Sequence, residues 1–164
     1  MSSLLFVSPM PASHLASLIL LTILALTLAS AQASEAVDAS PVGLWQTISD
    51  VDGKPHGLVR IAEKDGVYHG TIVGILVPGE DPSARCELCP DARKDQPIIG
   101  LVFLTGLKRL RQDEFDGGEI LDPDTGSVYR CQARLTDGGR TLIVRGYIGF
   151  SLFGRSQTWR RSDQ

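Results

Sequence analysis

The chain has 164 residues, with 16 basic and 19 acidic side chains and a formal net charge of −3. So mild a balance, with no basic stripe and no interleaving of basic and aromatic residues, argues against nucleic acid or an anionic membrane as a charge-recruited partner. Every formally charged side chain lies beyond Ala31.

The uncharged start has its own pattern. Residues 18–28 read LILLTILALTL, an apolar run broken only by two threonines, and Ala29-Ser30-Ala31 and Ala31-Gln32-Ala33 follow it. A short apolar core with a small-x-small exit is the form of a secretory signal peptide. The run is short for a membrane anchor, which needs about 20 apolar residues. The basic opening usual in such peptides is missing, and Met10 offers a second start of more ordinary length. The expected division is a signal peptide over 1–31, cleaved near Ala31 or Ala33, a short flexible lead over 32–41, and one domain over 42–164. The expected location is periplasmic or secreted, with no stable membrane span after cleavage.

Beyond residue 41 the chain alternates short β-rich runs with Gly, Pro and Asp turns. Strands are predicted over 42–50, 57–63, 67–77, 98–107, 114–121, 127–136, 141–148 and 156–161. Asp52-Gly53, Asp65-Gly66 and Asp137-Gly138-Gly139 separate runs in the way that tight hairpins require, since glycine supplies positive φ. No segment sustains a 3.6-residue period. Strands spaced about 8–12 residues apart and joined by hairpins predict an all-β, single antiparallel barrel of roughly eight strands. Closure removes the edges that would otherwise pair with other chains. The one long loop is expected over 78–97. In the last strand Arg155, Gln157, Trp159 and Arg161 share one face. First and last strands adjoin in a closed barrel, so Trp45 is expected near the Trp159 strand, with an arginine stacked over an indole.

Five motifs occur in order: Gly43-x-Trp45; Pro97-Ile98-Ile99-Gly100-Leu101; Gly117-Gly118-x-Ile120-Leu121-Asp122-Pro123; Gly126-x-x-Tyr129-x-Cys131; and Arg145-Gly146-Tyr147-Ile148-Gly149-x-Ser151-Leu152-x-Gly154-Arg155-x-Gln157-x-Trp159. Together they resemble the exported bacterial family known as domain of unknown function 2147 (DUF2147). The resemblance implies a lipocalin-like, calycin-type barrel and a cell-envelope location. It brings no assigned reaction.

Cysteine chemistry leaves several readings open. Cys86-x-x-Cys89 and Cys131 make an odd count in an exported chain. Cys86 and Cys89 are the candidate disulfide, although pairing of either with Cys131 is also open. A redox pair or a zinc site completed by His56 or His69 are alternatives, but the motif lies in a Pro-flanked loop and no second C-x-x-C exists. Asp113, Glu114, Asp116, Glu119, Asp122 and Asp124 match no calcium loop and read as a solvated hairpin region. No nucleophile elbow, phosphate loop or dinucleotide fingerprint is present. No catalytic residue, cofactor or metal is therefore assigned.

The remaining candidates are aromatic and polar groups: Trp45, Tyr129, Arg145, Tyr147, Arg155, Gln157 and Trp159. Small barrels either fill their interior or hold one small ligand. These residues are expected to line or guard a site for a small apolar or anionic molecule. The competing role for the arginines is to cap the barrel by bonding loop carbonyls and stacking on Trp45. The function expected is non-catalytic binding of a small molecule. The alternatives are an envelope interaction module, or a thiol or metal protein built on Cys86 and Cys89.

Overall fold

A computed structural model describes residues 40–162. The signal-peptide segment and most of the lead lie outside the described residues. Eight strands run in chain order: β1 (Gly43–Ile48), β2 (Pro55–Lys64), β3 (Val67–Ile75), β4 (Val102–Arg109), β5 (Glu114–Leu121), β6 (Val128–Thr136), β7 (Thr141–Tyr147) and β8 (Gly154–Ser162). Each pairs antiparallel with the next, and β8 returns to β1 to close the barrel. Short 3₁₀ turns at Asp91–Arg93 and Asp137–Gly139 are the helical elements among the described residues.

Asp-Gly turns set the tight connections. Asp65 (φ 53°) and Gly66 (φ 76°) carry β2 directly into β3, with Lys64 opposite Val67. Asp137 and Gly138 also take positive φ between β6 and β7. The start of β4 differs most from expectation. The run 98–107 was expected to be strand throughout, but β4 begins at Val102. Gly100 takes φ 98°, which interrupts the extended run. Residues 98–101 instead close the long loop: Ile98 N–H donates to the Ala84 carbonyl at 2.9 Å, and Gly100 N–H to the Ile72 carbonyl at 2.8 Å.

Strand alternation divides the barrel lengthwise. On β6, Cys131, Ala133 and Leu135 are buried while Arg130 and Arg134 are exposed. On β7, Leu142 and Val144 are buried. One end of the barrel is packed shut. Tyr68 meets Phe115 edge-on with ring centroids 5.2 Å apart, and the Arg109 guanidinium lies over the Phe115 ring. Trp45 is wholly buried and donates its indole N–H to the Pro41 carbonyl at 2.8 Å. Arg161 covers it at 4.3 Å and also donates to the carbonyls of Ser40, Val42 and Gly139. The expected arginine over an indole is this pair. Gly70 shows why strand glycines matter here: a Cβ there would come within 2.9 Å of the Leu104 Cβ.

The connections β1–β2, β3–β4, β5–β6 and β7–β8 all lie at the opposite end, because every odd-numbered strand runs toward it.

Candidate functional site

At that loop end the barrel is not filled. A cavity of about 700 Å³ enters between the strands. Its wall is apolar, contributed by Val59, Ile72, Phe103, Leu121, Tyr129 and Val144. Phe103 stacks on Trp159 at 5.9 Å, with ring planes 30° apart, and Trp159 is wholly buried. The cavity thus stands above an aromatic floor. Gly146 on β7 helps keep it open: it lines the cavity, and a Cβ there would come against Ile120 and Tyr129. Uncharged polar groups in the wall include Thr47 on β1, Ser49 just beyond it, the Tyr129 hydroxyl on β6 and Gln157 on β8. Gln157 Oε1 accepts the Trp159 indole N–H at 2.7 Å. That bond fixes the amide so that its nitrogen is the end left to serve a ligand.

The rim is charged. Asp50, Glu80, Asp122 and Asp124 lie there with His56 and Arg155. Arg155 donates to the Asp50 carboxylate at 2.8 Å, joining β8 to the β1–β2 loop across 105 residues of sequence. In that loop the Asp52 carboxyl is pulled down to about 2, first by the Lys54 backbone N–H, then by Ser49 and His56. The Ser49 hydroxyl oxygen in turn accepts from the Val51 and Asp52 amides.

The 76–101 connection packs over one side of the mouth. Cys86 and Cys89 form a disulfide with Cα atoms 5.3 Å apart, and both are buried. Cys86 N–H donates to the Gln96 carbonyl and Asp95 N–H to the Cys86 carbonyl, so the segment folds on itself around the bridge. Gly126 of the β5–β6 loop lies so close to the Leu88 carbonyl that no Cβ fits between them. The pairing left open by the sequence is therefore Cys86 with Cys89, and Cys131 is a buried thiol on β6. Among the described residues, neither His56 nor His69 joins these cysteines in a cluster of metal-ligating side chains.

The sequence-predicted site residues separate into three groups. Tyr129, Arg155 and Gln157 line the cavity or its rim. Trp45 and Trp159 are core residues; Trp159 acts only through the floor it makes with Phe103. Arg145 and Tyr147 do not line the site as expected. Leu142, Val144 and Gly146 take the inward positions of β7, which puts Arg145 and Tyr147 on the outer face. Arg145 there donates to the carbonyls of Ser151 and Leu152 and to the Ser156 hydroxyl. Carbonyl capping, the competing role, describes it. Sequence reasoning missed Thr47, Phe103, Val144 and Asp50. The period-2 alternation of their strands was the available signal for the first three. Asp50 had none, because its partner is so distant in sequence.

Comparison with known proteins fits this architecture. The profile of the family described as "Uncharacterized protein conserved in bacteria (DUF2147)" matches residues 43–161. The chain belongs to the DUF2147 family. Among solved structures, this DUF2147 protein is similar to the protein HP1028 from the human pathogen Helicobacter pylori, described as belonging to the lipocalin family. The two are 21% identical, with a TM-score of 0.67 over 76% of this chain and 85% of that one. At that identity the likeness concerns the fold. No curated protein sequence matches this DUF2147 chain.

Proposed function

We propose that this DUF2147 protein is an exported, non-catalytic binding protein that takes one small, largely apolar molecule into the open end of its barrel. The carrying observation is the cavity of about 700 Å³, apolar in its wall, floored by Phe103 on Trp159 and supplied with polar groups at Thr47 and Gln157. A concave apolar site with a few placed polar groups is the usual form of a small-molecule pocket. The rim narrows the ligand class. Its carboxylates exceed its cations, and Arg155 is already paired with Asp50, so a free anion meets an unfavourable field at the mouth. The ligand proposed is neutral, or cationic at its polar end. Export is supported by the 18–28 apolar run with its small-residue exit and by a disulfide, which persists in oxidising compartments.

Intact mass spectrometry of protein purified from its own envelope fraction tests this directly. The denatured mass is expected to correspond to a chain cut after Ala31 or Ala33, lighter by the two hydrogens of one disulfide. The native mass is expected to exceed it by a discrete small organic molecule. Equal native and denatured masses, together with exclusion of neutral apolar probes from the purified protein, would overturn the reading.

A further inference from the structure

The β7–β8 connection is unlike the other loops at the mouth. Within residues 148–153, Ile148, Phe150, Leu152 and Phe153 are between 70% and 81% exposed. Four large apolar side chains on one short tip cost free energy in water, and single loops of soluble domains rarely gather so many.

Part of the tip's backbone is satisfied within the protein. Phe153 N–H donates to the Phe150 carbonyl at 3.0 Å. Arg145 donates to the Ser151 and Leu152 carbonyls at 2.7 and 3.2 Å. Three successive carbonyls of the tip are thus satisfied within the protein, which lowers the penalty that those carbonyls would incur in a low-dielectric phase.

Amphipathic and cationic groups stand at its base. Tyr147 and Arg145 lie on the outer face of β7, and Arg130, exposed on β6, is the register partner of Tyr147. Apolar residues at a tip, with tyrosine and arginine one step behind, reproduce the order of acyl chains and phosphates met on entering a lipid leaflet. The rim carboxylates Asp122 and Asp124 on the neighbouring loop suit a leaflet of low net charge rather than a strongly anionic one.

We propose that the 148–153 tip docks the open end of the barrel on a phospholipid bilayer, with Phe150, Leu152 and Phe153 entering the acyl boundary and Arg130 and Arg145 on the outer face toward lipid phosphates. This rests on the tip, not on the cavity, so it stands or falls separately from ligand binding. It does give the cavity a source of apolar ligand, since Gly146 and Arg155, which flank the tip, also line the cavity.

The test is flotation of the exported protein with zwitterionic phosphatidylcholine–phosphatidylethanolamine vesicles. Wild-type protein is expected to rise with the lipid. The double variant Phe150→Ser, Phe153→Ser, sharing the same N-terminus and the same melting curve, is expected to partition at least about tenfold less. Phe150→Trp should keep binding, and its emission should be quenched by brominated acyl chains. Wild-type protein that stays below the lipid, or a double variant that floats equally well, would overturn the proposal. So would a wild-type dimer that the double variant splits, because the tip would then be a self-association face.

Discussion

Arg161 shows how much one side chain can do in a closed barrel. It stacks on Trp45 and donates to three carbonyls, so it seals the packed end and ties β8 to the chain leading into β1. Charge-assisted hydrogen bonds and a desolvated cation–π contact each contribute on the order of 1 to 2 kcal/mol. Arg161→Ala is expected to lower unfolding free energy by about 3 kcal/mol, read from urea midpoints. Arg161→Lys should recover little of this, since an ammonium cannot hold the same fork of acceptors. Cys131 offers a pH-dependent test at the same scale. Burial, helped by the negative charge of Asp116, pushes its thiol from 9.0 up to about 12. The folded state therefore holds the proton more tightly than the unfolded chain does. The stability this contributes is complete below pH 9 and is lost as pH rises toward 12. Native protein should resist thiol reagents at pH 8, and Cys131→Ala should lose part of the alkaline slope that wild type shows between pH 9 and 12.

Among the elements, hairpins were the most legible. Asp65-Gly66 joined β2 to β3 where the sequence placed the turn, and β5 has the same bounds as the predicted strand 114–121. The start of β4 was misread because apolar character at Ile98 and Leu101 marks burial, not strand. Those residues pack as the end of the long loop, and the positive φ of Gly100 is a local event that hydropathy does not report. The site was legible only in part. Alternation along β8 correctly grouped Arg155, Gln157 and Trp159 on the inner face, whereas Arg145 and Tyr147 were grouped with them by chemistry rather than by position on β7. Loop-on-loop packing was invisible in the sequence, and Gly126 tests it. Gly126→Ala would set a Cβ against the Leu88 carbonyl at a position of positive φ. It is expected to cost about 1 to 3 kcal/mol. It should also displace the 86–97 segment from the mouth, read as faster reduction of the otherwise buried Cys86–Cys89 bridge by dithiothreitol.

Residues 40–162 form a barrel with two unlike ends. Closure leaves no strand edge among the described residues to recruit partners, and the packed end supplies stability through Trp45, Tyr68, Phe115 and Arg161. The open end carries the cavity, the charged rim, the disulfide-stapled loop and the apolar tip. The proposed occupant of the cavity is a largely apolar molecule, neutral or cationic at its polar end, and the most direct measurement is a titration with the neutral apolar probe N-phenyl-1-naphthylamine, followed by its fluorescence. Wild type is predicted to bind one probe per barrel, and Val144→Trp, which fills the space above Phe103 and Trp159, is predicted to bind at least about tenfold more weakly while keeping the folded circular dichroism spectrum. Absence of saturable binding to wild type, or equal binding by the filled variant, would contradict the account.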